Sequence, residues 1–478
     1  MKLHEYATQD ATGLAELVSR REISAIELVE LAREAHDRIN PSVNAVVEFY
    51  DDAESVPGSD TGPFAGVPFL RKDLGPTEAG RLQECGSRLF VGYRPTVDSY
   101  FIQRARAAGL RVLGRTTTPE LGIGSSESAL CGITSNPWNL ERTSGGSTAG
   151  SAAAVAAGIV PIASGGDGGG SIRVPASFCG LVGLNPSRGR ISGGPHQQES
   201  GLGRSRSFVM CRTVRDMAAA LDVFSGAYPG DPFVIAPPDR SYLQELQSPT
   251  PRLRVGVAMS SWVEGKIEPS IFEAVLQTAQ HLEAMGHQIE EMRPPYDPVV
   301  YPEVAAAMYH MGLLTLDATA RELGRKVDEQ TLEPVNLKLY RMNKQRPLTY
   351  VGEIIQRDRK FRAEVGEAIK DYDILVTPTV PCSAFPHGTY STLDENLTVE
   401  EFLHGADLAM HQYMHIFNVT GHPSVSLPLF QGVDGLPIGV QIVGRFGHEA
   451  TLVRIARHLE EAIPWAARRP PIFAGGSE

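Results

Sequence analysis

Residues 143–180 constrain this chain more tightly than any other part of it. They read TSGGSTAGSAAAVAAGIVPIASGGDGGGSIRVPASFCG, with Ser147 and Ser171 in glycine-rich turns joined by a run of small residues. A flexible linker is polar on both sides, whereas the second turn lies between the apolar runs 159–163 and 172–174. Such a turn is held inside a core. Glycine there lets the backbone turn sharply and come close to a ligand, because it has no Cβ. Its N–H groups are then available to negative charge that develops during a reaction. The stretch therefore reads as the seat of a reactive serine, for which the rest of the chain must supply a base and a pocket.

Around it, apolar periodicity alternates between helix and strand. Ser24 and Glu27 form a capping box ahead of a helix that Asn40-Pro41 is expected to end, and residues 44–49 are strand-like. The run 67–70 is a strand that delivers Lys72. An amphipathic helix over 98–108, closed by Gly109, precedes a buried strand at 110–113. Ile271, Val275, Ala279 and Leu282 share one helix face, and Gly286 caps that helix before another strand. Residues 374–377 and 436–443 are buried strands, and 449–463 is a closing helix. This alternation predicts an α/β fold, a large mixed central sheet flanked by helices. Residues 230–370 are less regular, a strand–helix portion followed by a helical insertion. With no repeats and no massed linker, the chain reads as one unit over 1–478, with a core segment at 60–215 and a variable, substrate-shaping region at 230–370.

Composition excludes several classes. A formal charge of −12 argues against nucleic acid as a partner. There is no apolar run long enough to span a bilayer, and the N-terminal residues lack the apolar core of a secretion signal. Five scattered cysteines without a C-x-x-C suit reduced thiols, so a cytoplasmic location is the expectation.

Neither serine turn matches a familiar loop. Ile172 and Arg173 follow Ser171 where a phosphate loop needs lysine and a hydroxyl residue, and the second glycine of a G-x-S-x-G elbow is missing. No histidine lies near either serine to act as base. A lysine serves if burial keeps it neutral, and Lys72 follows an apolar strand; taken alone, it reads rather as an ordinary surface lysine. His404, Asp407, His411 and His415 recur at helical spacing, which would allow a metal site. The glutamate of an H-E-x-x-H motif is absent, and pocket-wall or core histidines are the expected reading.

Taken together, the residues resemble the amidase signature family. The matching text is GVPFLRKDL at 66–74, GGSTAGSAAAVAAG at 145–158 and GGDGGGSIRVPASFCGLVGLNPSRGRIS at 165–192. Further matches are LGRTTTPELG at 113–122, SNPWN at 135–139, LVTPT at 375–379, NVTGHPSVSLP at 418–428 and GLPIGVQIVG at 435–444. The resemblance implies the family's fold and a Ser–cis-Ser–Lys triad. Ser171 matches the nucleophile, Ser147 the bridging serine after a cis peptide from Gly146, and Lys72 the base. The N–H groups of Gly168, Gly169, Gly170 and Ser171 match the oxyanion hole. Asp167 and Arg173 match supports of that loop. The segment Gly122, Ile123, Gly124, Ser125 and Ser126 should line the acyl side, and Tyr301, Met308, Tyr309, Leu313 and Tyr340 are candidates for the entrance. The implied activity is hydrolysis of C–N bonds in small amides, anilides or carbamates (urethanes), without metal or organic cofactor, by a monomer or homodimer. The RGRIS and GLPIGVQIV segments and PWAARRP at 464–470 look closest to the branch that acts on nylon oligomers. The alternative within the family is a glutaminase of the amidotransferase kind, working with partner subunits. The chain departs from the usual text at Thr148, Ala149, Gly168 and residues 185–187. A roomier pocket beside Gly168 is expected, since a Thr, Ile or Ala is usual there.

Overall fold

A computed structural model gives the fold of residues 1–476, without the side chains of residues 406–409. The main sheet takes its strands in chain order from β1 (Val46–Phe49), β2 (Pro68–Lys72), β3 (Arg111–Thr116), β4 (Ile162–Asp167), β5 (Val182–Asn185) and β6 (Arg206–Cys211). It continues through β7 (Arg254–Ala258), β8 (Gln288–Met292), β9 (Ile374–Pro378), β10 (Ser424–Gln431) and β11 (Pro437–Gly444). Across the 11-stranded sheet the order is β1–β3–β2–β4–β6–β5–β10–β11–β9–β7–β8. Pairing is mixed: β2 runs parallel to β3 and β4, β7 parallel to β8 and β9, and the other neighbours are antiparallel. The fold class is α/β, as the alternation of helix and strand requires.

The helices used below are α1 (Ala25–Val43), α2 (Ala149–Ala156), α3 (Arg173–Cys179), α4 (Pro269–Ala284), α5 (Tyr301–Leu313), α6 (Pro334–Lys344), α7 (Thr349–Ile369), α8 (His415–Thr420) and α9 (Glu449–Ala462). At the start of α1, Ser24 Oγ accepts the Glu27 N–H at 3.2 Å and the Glu27 carboxylate accepts the Ser24 N–H at 2.8 Å. The expected end at Asn40-Pro41 is corrected: the helix carries Pro41 inside it and stops at Asn44, which takes a left-handed φ of 48°. Proline there gives up one intrahelical bond, and only two residues follow it before the helix ends at Val43. The Asn40 amide instead turns to the next strand, accepting the Ala45 and Val46 N–H groups at 2.8 Å each.

Three features position the site. β2 is buried along its whole length between two parallel neighbours, so its last residue, Lys72, is delivered to the carboxyl ends of the strands. Every residue of α2 is buried, and the helix approaches the start of β1 and the end of β3 so closely that a Cβ on Gly150 would lie 2.2 Å from the Ala45 carbonyl and 2.5 Å from the Thr117 nitrogen. Small residues are what permit that approach. α3 starts directly after the second serine turn and ends at Gly180, whose φ of 72° suits glycine. Beyond β7, α4 leads into the parallel strand β8, and helices α5 to α7 follow. Residues of α5 and α6 form an apolar cluster with Leu89, Ile123 and Phe402 from other parts of the chain.

Candidate active site

Lys72 is 1% exposed. Its Nζ is 2.7 Å from Ser147 Oγ and 3.2 Å from Thr148 Oγ1, and its backbone N–H donates to Ser164 Oγ at 2.8 Å. Burial lowers its pKa from 10.5 to about 7, while the negative charge of Asp167 acts weakly the other way. An apolar strand end thus turns an ordinary lysine into an amine that exchanges its proton near neutrality.

The peptide from Gly146 to Ser147 is cis, and Thr118 Oγ1 donates to the Ser147 carbonyl at 3.0 Å. The two serine turns meet through Thr148, whose N–H donates to the Ser171 carbonyl at 3.2 Å and whose hydroxyl donates to the Gly166 carbonyl at 3.2 Å. Ser171 is partly exposed, whereas Ser147 is buried. The structure therefore brings Lys72, Ser147 and the Ser171 turn to one place from three separate elements.

Asp167 and Arg173, both buried, form a two-pronged ion pair with 2.9 Å contacts from Nε and Nη2. Asp167 also accepts the Gly170 N–H at 2.7 Å, the Ile172 N–H at 3.2 Å and Asn418 Nδ2 at 2.9 Å. Burial alone would raise its pKa, but the guanidinium and these donors hold it well below the usual carboxylate range. One consequence corrects the expected donor set. The Gly170 N–H is occupied by Asp167, leaving Gly168, Gly169 and Ser171 as the N–H groups of the turn with which an anion can be met. On its far side Arg173 donates to Gln441 Oε1 at 2.8 Å, and Gln441 in turn donates to Thr377 Oγ1 at 2.9 Å and to the Tyr413 carbonyl at 2.8 Å. Replacing Arg173 with methionine strands the Asp167 charge in the interior. A loss of about 3–5 kcal/mol is expected by urea unfolding, and a loss under about 1 kcal/mol would show that the pair is not the brace of this turn.

The segment expected to line the acyl side divides into parts. A Cβ on Gly122 (φ 73°) would lie 3.3 Å from Ser147 Oγ, so this residue adjoins the cis serine. The carbonyls of Gly124 and Ser125 press on Gly146, where a Cβ would meet each at 2.3 Å. The hydroxyls of Ser125 and Ser126 bond Thr143 Oγ1 at 2.6 and 2.8 Å, and Ile123 is buried in the helical cluster. Among the entrance candidates, Tyr309, Leu313 and Tyr340 pack in that cluster and Tyr301 packs in a second one. Met308 does approach the turn, since a Cβ on Gly168 would lie 3.3 Å from its Sδ and 3.7 Å from Ser205 Oγ. The space vacated at Gly168 is thus faced by a pliable thioether rather than left open.

His411 and His415 wall the same turn. A Cβ on Gly169 would come within 2.2 Å of the His415 ring, and one on Gly170 within 2.9 Å of His411. The two rings are 5.0 Å apart. His404 Nδ1 lies 2.9 Å from the Glu400 carbonyl, and the side chain of Asp407 falls outside the described residues. Among the described residues, no group of three or more His, Cys, Asp or Glu is placed to hold a metal ion. Sequence reasoning missed Thr148 as a Lys72 partner and the Gln441–Thr377 extension. The visible sign of the second was a glutamine in the middle of the apolar run GVQIVG.

An 11-stranded mixed sheet with a buried lysine, a cis serine and a glycine-bounded serine turn at its strand ends defines the class of protein. The protein-family model described as Amidase matches residues 25–453, and the chain belongs to the amidase signature family, enzymes that hydrolyse C–N amide bonds. A 6-aminohexanoate-cyclic-dimer hydrolase of Paenarthrobacter ureafaciens is 37% identical over 487 residues, covering 97% of each chain. The enzyme of the same description from Pseudomonas sp. strain NK87 is 38% identical over 486 residues, again covering 97% of each. A solved structure of 6-aminohexanoate cyclic dimer hydrolase complexed with substrate superposes with a TM-score of 0.92 at 36% identity, covering 98% of this chain and 99% of that one. No described helix is long and apolar enough to cross a membrane.

Proposed function

We propose that this chain hydrolyses small amides, anilides or carbamates through an acyl-enzyme on Ser171, with Ser147 as proton relay and Lys72 as base. The observation that carries the reading is the 2.7 Å contact between a buried, easily neutralised Lys72 amine and Ser147 Oγ. Neutral Lys72 takes the Ser147 proton as Ser147 takes that of Ser171. Ser171 Oγ attacks the carbonyl carbon, and the oxyanion is met by the N–H groups of Gly168, Gly169 and Ser171. Each such donor is worth about 2.7–4 kcal/mol to the transition state. Ser147 then passes the proton to the leaving nitrogen, the C–N bond breaks, and water repeats the attack on the acyl-enzyme.

The substrate class rests on two supports. The two relatives at 37% and 38% identity are described as hydrolases of a cyclic amide dimer of 6-aminohexanoate. The wall beside the serine turn carries Met308 and Met414, thioethers that adapt to apolar acyl groups of different shape. The test is a hydrolysis panel of anilides, aliphatic and cyclic amides, carbamates and esters on the chain purified alone. Turnover of the amide or carbamate members is expected, with esters as side substrates. Activity confined to glutamine, and seen only with added partner subunits, would replace this reading with the amidotransferase alternative.

A further inference from the structure

Behind the Gly122–Ser126 segment lies a buried pair of carboxyls that the proposed chemistry does not use. Glu120 is 1% exposed and Glu333 fully buried. Glu120 belongs to the turn just before Gly122, in which Leu121 takes a φ of 55°. Its carboxylate accepts Ser87 Oγ at 2.8 Å, the Glu333 N–H at 2.8 Å and Asn336 Nδ2 at 2.9 Å. Glu333 stands at the N-cap of α6, and its own carboxylate accepts the Ala129 N–H at 2.7 Å and Thr392 Oγ1 at 2.6 Å. Four separate parts of the chain are thereby tied together: the 87–88 turn, the 120–129 segment, the start of α6 and the strap at Thr392.

The position of the knot matters. Gly122, two residues after Glu120, adjoins Ser147 Oγ, and a Cβ on Gly124 would lie 3.2 Å from Thr392 Cγ2. Whatever holds Glu120 and Glu333 in place also holds the segment that backs the cis serine and faces the acyl side. Two carboxyls in one dry site do not ionise independently, because like charges at low dielectric disfavour each other. Burial first, then the Glu120 charge, pushes Glu333 up to about 7, and burial raises Glu120 as well. Arg88 is the cation that acts on both, and its Nη2 donates to the Leu332 carbonyl at 3.0 Å. Thr392 Oγ1 and the Ala129 N–H favour the charged form of Glu333, while Asn336, Ser87 and the Glu333 N–H favour that of Glu120.

From this arrangement we infer that Glu120 and Glu333 are positioning residues, a clasp of two buried carboxyls that fixes residues 120–129 against Ser147 and loosens when both are ionised. The inference rests on the proposed role of Ser147 for its effect on catalysis. The clasp itself stands on the hydrogen bonds and the burial of the pair. Below neutrality one of the two carboxyls is protonated and the segment is held. Above it two buried charges repel, and the acyl-side wall gives way. The substrate should feel this as weaker binding on the alkaline side, whereas protonation of Lys72 acts on the acid side.

The experiment follows KM and kcat of the whole chain from pH 6 to about pH 9, beside hydrogen exchange of the amides of residues 120–129 corrected for intrinsic rate. In the wild type, KM is expected to rise several-fold above neutrality while kcat holds, and exchange in 120–129 should accelerate over the same range. Glu333→Gln preserves shape and removes the titration, so both rises should vanish while the acid limb of kcat remains. If either rise persists in Glu333→Gln, or neither occurs in the wild type, the inference is overturned. Should Glu333→Gln fail to fold, Thr392→Val provides the decision. It removes a donor that favours the Glu333 charge, so the rise must move to higher pH, and an unmoved rise overturns the clasp. A failure of the catalytic reading is distinguishable, because it appears as unchanged turnover in Ser171→Ala whatever the exchange data show.

Discussion

Ser171→Ala should lower kcat by about 10⁶ while leaving KM within a few-fold, because it removes the proposed nucleophile and keeps the pocket. The cysteines do not substitute: Cys85, Cys179 and Cys211 are buried, Cys131 and Cys382 half-buried, and burial pushes all five thiols above the ordinary range. His411 and His415 lie against the glycines of the turn, but a wall imidazole without the serine has no acyl acceptor to activate. What survives is binding and the N–H donors of Gly168, Gly169 and Ser171, whose backbone the alanine keeps. In serine hydrolases that remainder amounts to about 10³–10⁴ over water. Ser147→Ala should cost nearly as much, and the double variant little more, since members of a relay fail as a unit. Mass spectrometry of enzyme quenched during turnover should show the acyl adduct on the 165–192 peptide in the wild type alone. Undiminished turnover in Ser171→Ala would sink the proposed mechanism.

Much of this was legible in the chain because the site is built from local text. The turn containing Ser171, the glycine-bounded Ser147 and the strand that ends in Lys72 are each contiguous, and each announces itself by glycine or by an unbroken apolar run. The helix capped by Ser24 was equally plain, while its end was misplaced because Asn40-Pro41 looks like a stop. The strand entry supplied the correction, by drawing the Asn40 amide onto Ala45 and Val46. What spacing conceals is where distant polar groups converge. The Asn418 Nδ2 bond to Asp167 spans 251 residues, and the bond from Glu333 to the Glu120 carboxylate spans 213. No periodicity encodes such pairings. Gly170 shows the same limit at short range. As one of four glycine-turn donors it looked equivalent to its neighbours, and only the fold shows that Asp167 takes its N–H.

Lys72→Met should produce an enzyme that is inactive yet harder to unfold at neutral pH. The activity follows from the relay. The wild-type kcat/KM should fall as pH drops through about 7, to about a tenth one unit lower, as the amine gains the proton that disqualifies it as a base. A profile flat to about pH 5 would remove Lys72 from the role. The stability follows from the same shift. The unfolded lysine holds its proton up to 10.5 and the folded one only to about 7, so between these values the unfolded state binds more protons and stability rises with pH. Below about 7 the penalty for burying the ammonium is present in full, roughly 4–5 kcal/mol from the size of the shift. Methionine has similar length and no charge. It forfeits the contacts with Ser147 and Thr148, which are worth about 1 kcal/mol each. The variant should therefore be the more stable by about 2 kcal/mol at pH 7 and below in urea unfolding. The gap should close as pH rises and reverse at about pH 9, and above 10.5 the wild-type amine is neutral in both states and keeps its hydrogen bonds. A wild type that is the more stable protein at pH 6 would mean that Lys72 is not held against its own charge, and that the fold does not sacrifice stability to keep a base at this position.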